Sequence, residues 1–162
     1  MSVPSARERV GLRVDELVAA MTLEEQVAQL SCVARVPEAG WLVDDEGRAD
    51  VAELLARHPD GVGQLGRPGL AFDPKAAARF TADVQAALAS HTRLGIPALC
   101  NEEGIHGAMA QGATVFPAAI ALASTWDAGL VERVYAAVAR EHRRRGSTYV
   151  YAPVLDLSRD PR

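Results

Sequence analysis

The feature that most constrains this chain is an apolar run that empties abruptly into carboxylates. Ile96 to Cys100 gives way to Asn101, Glu102 and Glu103, then to a turn framed by Gly104 and Gly107. A short continuous apolar run suits a strand buried on both faces, and its polar finish suits the carboxyl end of that strand opening at a mouth. In barrels of alternating strands and helices, chemistry gathers at that end, because the loops there vary while the packed staves stay fixed.

The flanking sequence supplies the alternation. Val10, Val14, Leu17, Val18 and Met21 recur at helical spacing, which predicts an amphipathic helix over Ala6 to Ala20. Thr22 and Glu25 form a capping box that starts a second helix at Leu23, expected to bury Leu23, Val27 and Leu30. Residues 37–50 read as an acidic loop around Trp41 and Leu42, followed by a short helix, Val51 to Arg57. Gly61 to Leu65 reads as a glycine-thinned strand, where neighbouring backbone can approach closely. Asp73 followed by Pro74 predicts a helix through about His91 with Ala77, Phe80, Val84, Ala87 and Leu88 inward. Ile96 to Asn101 is the next strand. Asp127 then opens a helix that buries Leu130, Val131, Val134, Ala137 and Val138 and closes at Arg143 to Gly146. Tyr149 to Leu155 is a last apolar run, polar from Asp156. Strand, helix, strand, helix, strand predicts an α/β fold with a parallel sheet and crossover helices. Residues 1–60 are expected to form lead-in helices and a loop, and residues 61–162 the first β/α units of a single, incomplete domain.

Bulk properties exclude several classes. A chain of 162 residues, 49% hydrophobic and 23% charged, can bury a core and is neither disordered nor fibrous. A net charge of -4 argues against a nucleic-acid partner, which would want a basic face. Residues 1–13 carry Arg7, Glu8, Arg9 and Arg13 without an apolar block, so no secretory signal is read and a cytoplasmic setting is expected. No window reaches the apolar length of a membrane span. Cys32 and Cys100 match no zinc motif, and each is expected to act as a small buried hydrophobe.

Six segments in order then resemble the amino-terminal barrel domain of glycoside hydrolase family 3, the retaining exo-β-glycosidases. They are Val14 to Leu30, Arg93-Leu-Gly-Ile-Pro97, Glu103-Gly-Ile-His-Gly107, Gly112-Ala-Thr-Val-Phe-Pro117, Ala123-Ser-Thr-Trp-Asp127 and Ala152 to Arg162. The resemblance implies an incomplete (β/α)8 TIM-type barrel, since a full one takes about 250 residues. It also implies hydrolysis of terminal β-D-glucosyl or β-D-xylosyl residues from a β-glycoside or oligosaccharide, with no metal or organic cofactor. The family pattern continues past Asp160-Pro161-Arg162 with Trp-Gly-Arg, and its nucleophile and acid/base lie further on. The chain is therefore expected to be a fragment without a catalytic residue of its own, inactive alone, whose partner is the remaining carboxyl-terminal part of the enzyme. A non-catalytic sugar-binding or complementing fragment is the alternative, and a barrel enzyme of other chemistry the third.

By that resemblance Glu103 is the substrate-binding carboxylate, gripping hydroxyls of the terminal sugar. A carboxylate suits the task because it accepts two hydroxyl donors at once. The bland alternative is a solvated loop carboxylate. Glu102 reads as an orienting or structural group: adjacent strand residues face opposite ways, so it cannot join Glu103 across one glycosidic bond, where a retaining pair stands about 5 Å apart. His106 could shuttle protons or bind a metal. The stronger expectation is a hydrogen bond to a backbone carbonyl or carboxylate that holds the loop. His91 and His142 are expected at the surface, and the Arg140 to Arg145 cluster as a solvated face.

Overall fold

A computed structural model describes residues 6–34, 49–70, 72–157 and 159, which leaves Trp41, Asp160 and Arg162 outside the described residues. Helices begin where side chains can cap them. After α1 (Ala6–Ala20), α2 (Leu23–Leu30) starts at the Thr22–Glu25 capping box, each residue satisfying the other's backbone N–H. Asp50 caps α3 (Val51–Arg57), Asp73 caps α4 (Pro74–His91) with Pro74 in the first turn, and Asp127 caps α6 (Ala128–Arg144). The five-residue α5 (Ala119–Ala123) has Ala118 at its N-cap and no side-chain cap, so nothing in the sequence announces it.

Among the described residues, four parallel strands, β1 (Cys32–Ala34), β2 (Gln64–Gly66), β3 (Leu99–Glu103) and β4 (Tyr149–Tyr151), stand side by side in chain order. β1 is absent from the sequence expectation. It lies inside the 1–60 segment assigned to lead-in helices and a loop, so the sheet begins at Cys32 rather than at Gly61. β3 also runs later than the expected Ile96 to Asn101. Pro97 has no N–H to give a ladder, and the Gln85 side chain clasps both backbone groups of Ala98, donating to its carbonyl at 2.6 Å and accepting its N–H at 3.0 Å. Regular pairing starts one residue on and continues to Glu103 because β4 matches it there.

One face of the sheet is covered. Val33, Leu65 and Cys100 meet Leu54 of α3 and Phe80, Val84 and Leu88 of α4 in a single buried cluster. Each such side chain contributes about 1.5–3 kcal/mol of burial. A second cluster joins Leu122 of α5 to Val134 and Val138 of α6. The opposite face is largely bare, with Cys32, Leu99, Tyr149 and Tyr151 exposed.

Two expectations about burial are corrected. Leu23, Val27 and Leu30 of α2 are exposed, and Glu25 is the buried residue of that helix. Glu25 accepts from Arg93, beside the Gly95 turn, with Nε at 2.8 Å, and this ion pair turns its face of α2 inward. Gly63 fixes the same orientation: a Cβ there would lie 1.8 Å from the Gln29 carbonyl oxygen, so α2 and β2 touch backbone to backbone. Cys32 is exposed too, because it occupies the bare face; Cys100, two strands away on the covered face, is buried.

Candidate functional site

Glu103 is the last residue of β3, paired in register with Tyr151, and is half-buried. Strand alternation puts it on the bare face with Leu99 and Asn101, and puts Glu102 on the helix-covered face. Asn101 is held by a hydrogen bond from its Nδ2 to Gln64 Oε1 at 3.0 Å. Tyr149 and Tyr151 stand edge to face on the same side, ring centroids 5.2 Å apart.

Glu102 is 5% exposed, and its Oε1 accepts the Gly69 N–H at 2.7 Å. Burial pushes its carboxyl above the ordinary glutamate range; the Gly69 N–H and the nearby Arg67 and Arg145 pull it back, and Glu103 adds to the rise. It ties the start of the loop after β2 to the sheet. Its orientation away from Glu103 excludes the two as a pair acting on one bond.

His106 lies in the loop after β3, its Nδ1 3.3 Å from the Phe116 carbonyl oxygen, while the Phe116 N–H donates to the His106 carbonyl at 2.9 Å. The contact is to a backbone carbonyl, and it folds residues 104–118 back on themselves. The loop must leave β3 tightly. A Cβ at Gly104 would lie 2.3 Å from Val150 Cγ1 and 3.4 Å from His142 Nε2, so glycine is required there.

The end of α6 braces this loop. Glu141 accepts the Thr114 N–H at 3.1 Å and the Thr114 hydroxyl at 2.6 Å. Arg145, 5% exposed, donates from Nη2 to the Gln111 carbonyl at 2.7 Å and from Nη1 to the Phe72 carbonyl at 3.4 Å. His142, between them, is 1% exposed, and neither ring nitrogen meets a partner among the described residues. Burial holds its imidazole below the ordinary histidine value, Arg145 adds to that, and Glu141 opposes it.

The expected surface placement of His142 and the expected solvation of Arg145 are therefore both wrong, although Arg140, Arg143 and Arg144 are exposed. The signal was present. Val134, Val138, His142 and Arg145 continue one stripe at spacings of four, four and three residues, so the helix buries its polar end on the face that buries its apolar start.

Two surface grooves, of about 490 and about 470 Å³, lie elsewhere: one beside Ala49, Asp83 and His91, the other beside Leu23, Val27 and His58. Neither includes a β3 residue. Among the described residues, no group of three His, Cys, Asp or Glu side chains could hold a metal ion, and no helix is long and apolar enough to cross a membrane.

Residues 22–162 match the sequence profile of the glycosyl hydrolase family 3 N terminal domain. A Formosa agariphila protein, whose name assigns it provisionally to the beta-xylosidases, is 37% identical over 93% of this chain and 20% of its own length. The periplasmic beta-glucosidase of Salmonella typhimurium is 28% identical over 98% of this chain and 18% of its own length. The solved structure of the β-glucosidase EmGH1 from Erythrobacter marinus superposes with a TM-score of 0.75 and 35% identity, covering 90% of this chain and 18% of that one. The chain thus spans about a fifth of the length of these relatives.

Proposed function

Because the chain belongs to glycosyl hydrolase family 3, we propose that it forms the opening β/α units of a (β/α)8-type barrel in a retaining exo-β-glycosidase, with Glu103 holding the terminal sugar. The barrel units begin at β1, with α1 and α2 leading into them. Strand order supports this reading. Each strand lies beside its predecessor with no reversal, as staves do, whereas a doubly wound sheet reverses direction partway. The bare face, which carries Leu99 and the two tyrosines, becomes the inside of the barrel once further units cover it. Those units come from the same polypeptide or from a complementary one.

The observation that carries the site is the position of Glu103 at the carboxyl end of β3, on the uncovered face. A carboxylate side chain there accepts two sugar hydroxyls and fixes which bond of a β-D-glucosyl or β-D-xylosyl residue is presented. A second carboxylate, from a strand beyond β4, attacks the anomeric carbon while an acid/base group protonates the glycosidic oxygen, so that the C–O bond breaks and the aglycone leaves. The same group then takes a proton from water, which displaces the carboxylate and releases the sugar with its configuration retained. This chain contributes grip and orientation.

D-glucose and D-xylose titrated onto the isotopically labelled chain should shift the Glu103 amide resonance. Glu103→Ala should weaken that binding by about 10- to 100-fold, the worth of a charged hydrogen-bonding partner. The chain alone should leave nitrophenyl β-glycosides intact. Sugar affinity unchanged in Glu103→Ala would remove the carboxylate from the role, and turnover by the purified chain would contradict a nucleophile on a later strand.

A further inference from the structure

The loop that follows Glu103 is not held by its own strand alone. It is pinned from outside by residues one helical turn apart at the end of α6: Glu141 takes both polar hydrogens of Thr114, and Arg145 takes the Gln111 carbonyl. Side chains at i and i+4 share a helix face, so one surface of α6 meets the loop at two points. Arg145 also reaches Phe72, in the loop that leaves β2. One guanidinium therefore joins loops from adjacent strands at the mouth where Glu103 stands. Its backbone packs on α4, where the Thr81 hydroxyl donates to the Ala77 carbonyl at 3.0 Å and lies 3.4 Å from the Arg145 carbonyl.

We propose that Arg145 is a positioning residue for Glu103: it straps the loops after β2 and β3 together and, with Glu141, fixes the conformation of residues 104–118. Three properties fit an arginine to this work. Its fork presents several donors in one plane, enough for two carbonyls on different segments. Burial keeps water from competing for those carbonyls. The cap position, with Arg145 backbone N–H donating to Glu141 and His142 carbonyls, gives the side chain a rigid base. Lysine could reach one carbonyl but not span both with a planar fork. The functional consequence rests on the reading of Glu103 as a sugar contact; the strap itself does not.

The test uses the full chain with Arg145→Met, Arg145→Lys and Thr114→Val. The last variant removes a hydroxyl at an exposed loop position, so it folds even if the buried substitution does not. Amide hydrogen exchange is read residue by residue. In Arg145→Met, the Thr114 and Phe116 amides should exchange at least about tenfold faster while α4 amides facing the core stay protected. Arg145→Lys should recover part of that protection, and Thr114→Val should loosen Phe116 alone by a smaller factor. The affinity for D-glucose or D-xylose should fall by about tenfold in Arg145→Met, because a displaced loop misplaces the carboxylate. Unchanged exchange at Thr114 and Phe116 in both Arg145→Met and Thr114→Val would overturn the strap, as would equal loosening of loop and α4. Faster loop exchange with no sugar response even in the unaltered chain keeps the strap and sinks the sugar assignment of Glu103, so the two failures are told apart.

Discussion

On one face of the sheet, Val33, Leu65 and Cys100 are sealed against Phe80, Val84 and Leu88; on the other, Leu99, Tyr149 and Tyr151 stay 50%, 49% and 43% exposed. Both faces carry large apolar side chains, yet among the described residues only one has helices to receive them. Parallel sheets are normally covered on both sides, so the bare residues are placed for a partner layer rather than for water. The contrast separates apolar surface that the described elements cover from apolar surface that they leave open.

The sharpest way to break the comparison is to truncate one residue on each side. Phe80→Ala should cost about 3–5 kcal/mol in denaturant unfolding, the usual cost of deleting a buried aromatic ring. Leu99→Ala should change stability by less than about 0.5 kcal/mol, as exposed substitutions do. Comparable losses at both positions would mean that the bare face is covered in solution. Thiol labelling draws the same line without altering the protein. Burial pushes the Cys100 thiol up to about 11, with the Gln85 amide opposing and Glu102 adding, whereas Cys32 is exposed on the bare face. Near pH 8, Cys32 should react at least about a hundredfold faster than Cys100. Similar rates would show that the covered face opens readily.

The smallest expected effect lies at the edge of the covered region. Both His142 nitrogens are buried without a described partner, so His142→Leu should raise stability by about 1 kcal/mol at neutral pH. The gain should grow on acidification. The folded chain holds this imidazole below its ordinary value, so as pH falls below 6.5 the unfolded chain takes up a proton that the native state resists, and wild-type stability drops. Thermal melts of both chains from pH 7 downward measure the widening gap; parallel curves would refute it.

Much of this architecture was legible because local chemistry decided it. Thr22, Asp73 and Asp127 marked helix starts, and the stripe from Ala77 to Leu88 named a third of the buried hydrophobic residues. Long-range contacts decided the rest. The three residues of β1 carry too little pattern to distinguish a strand, and α2 presents Glu25 inward because Arg93, far along the chain, meets it there. Glu103 was singled out by its place in the segment Glu103-Gly-Ile-His-Gly107 that resembles the family, since the apolar run ending at Cys100 does not by itself choose between Glu102 and Glu103. Arg145 was hidden by the habit of reading consecutive arginines as one exposed group, when Arg143 and Arg144 belong to one side of the helix and Arg145 to another.

Every strand in this sheet bonds only to the strand made just before it and the one made just after. Such an arrangement can be assembled during synthesis in the order in which it is translated, each arriving segment docking on an edge already present and leaving a fresh edge for its successor. The same rule leaves β4 as an open selvedge, with no strand beyond it among the described residues. Until something pairs with it, that margin is where a growing chain would either continue its own weave or be caught by another copy.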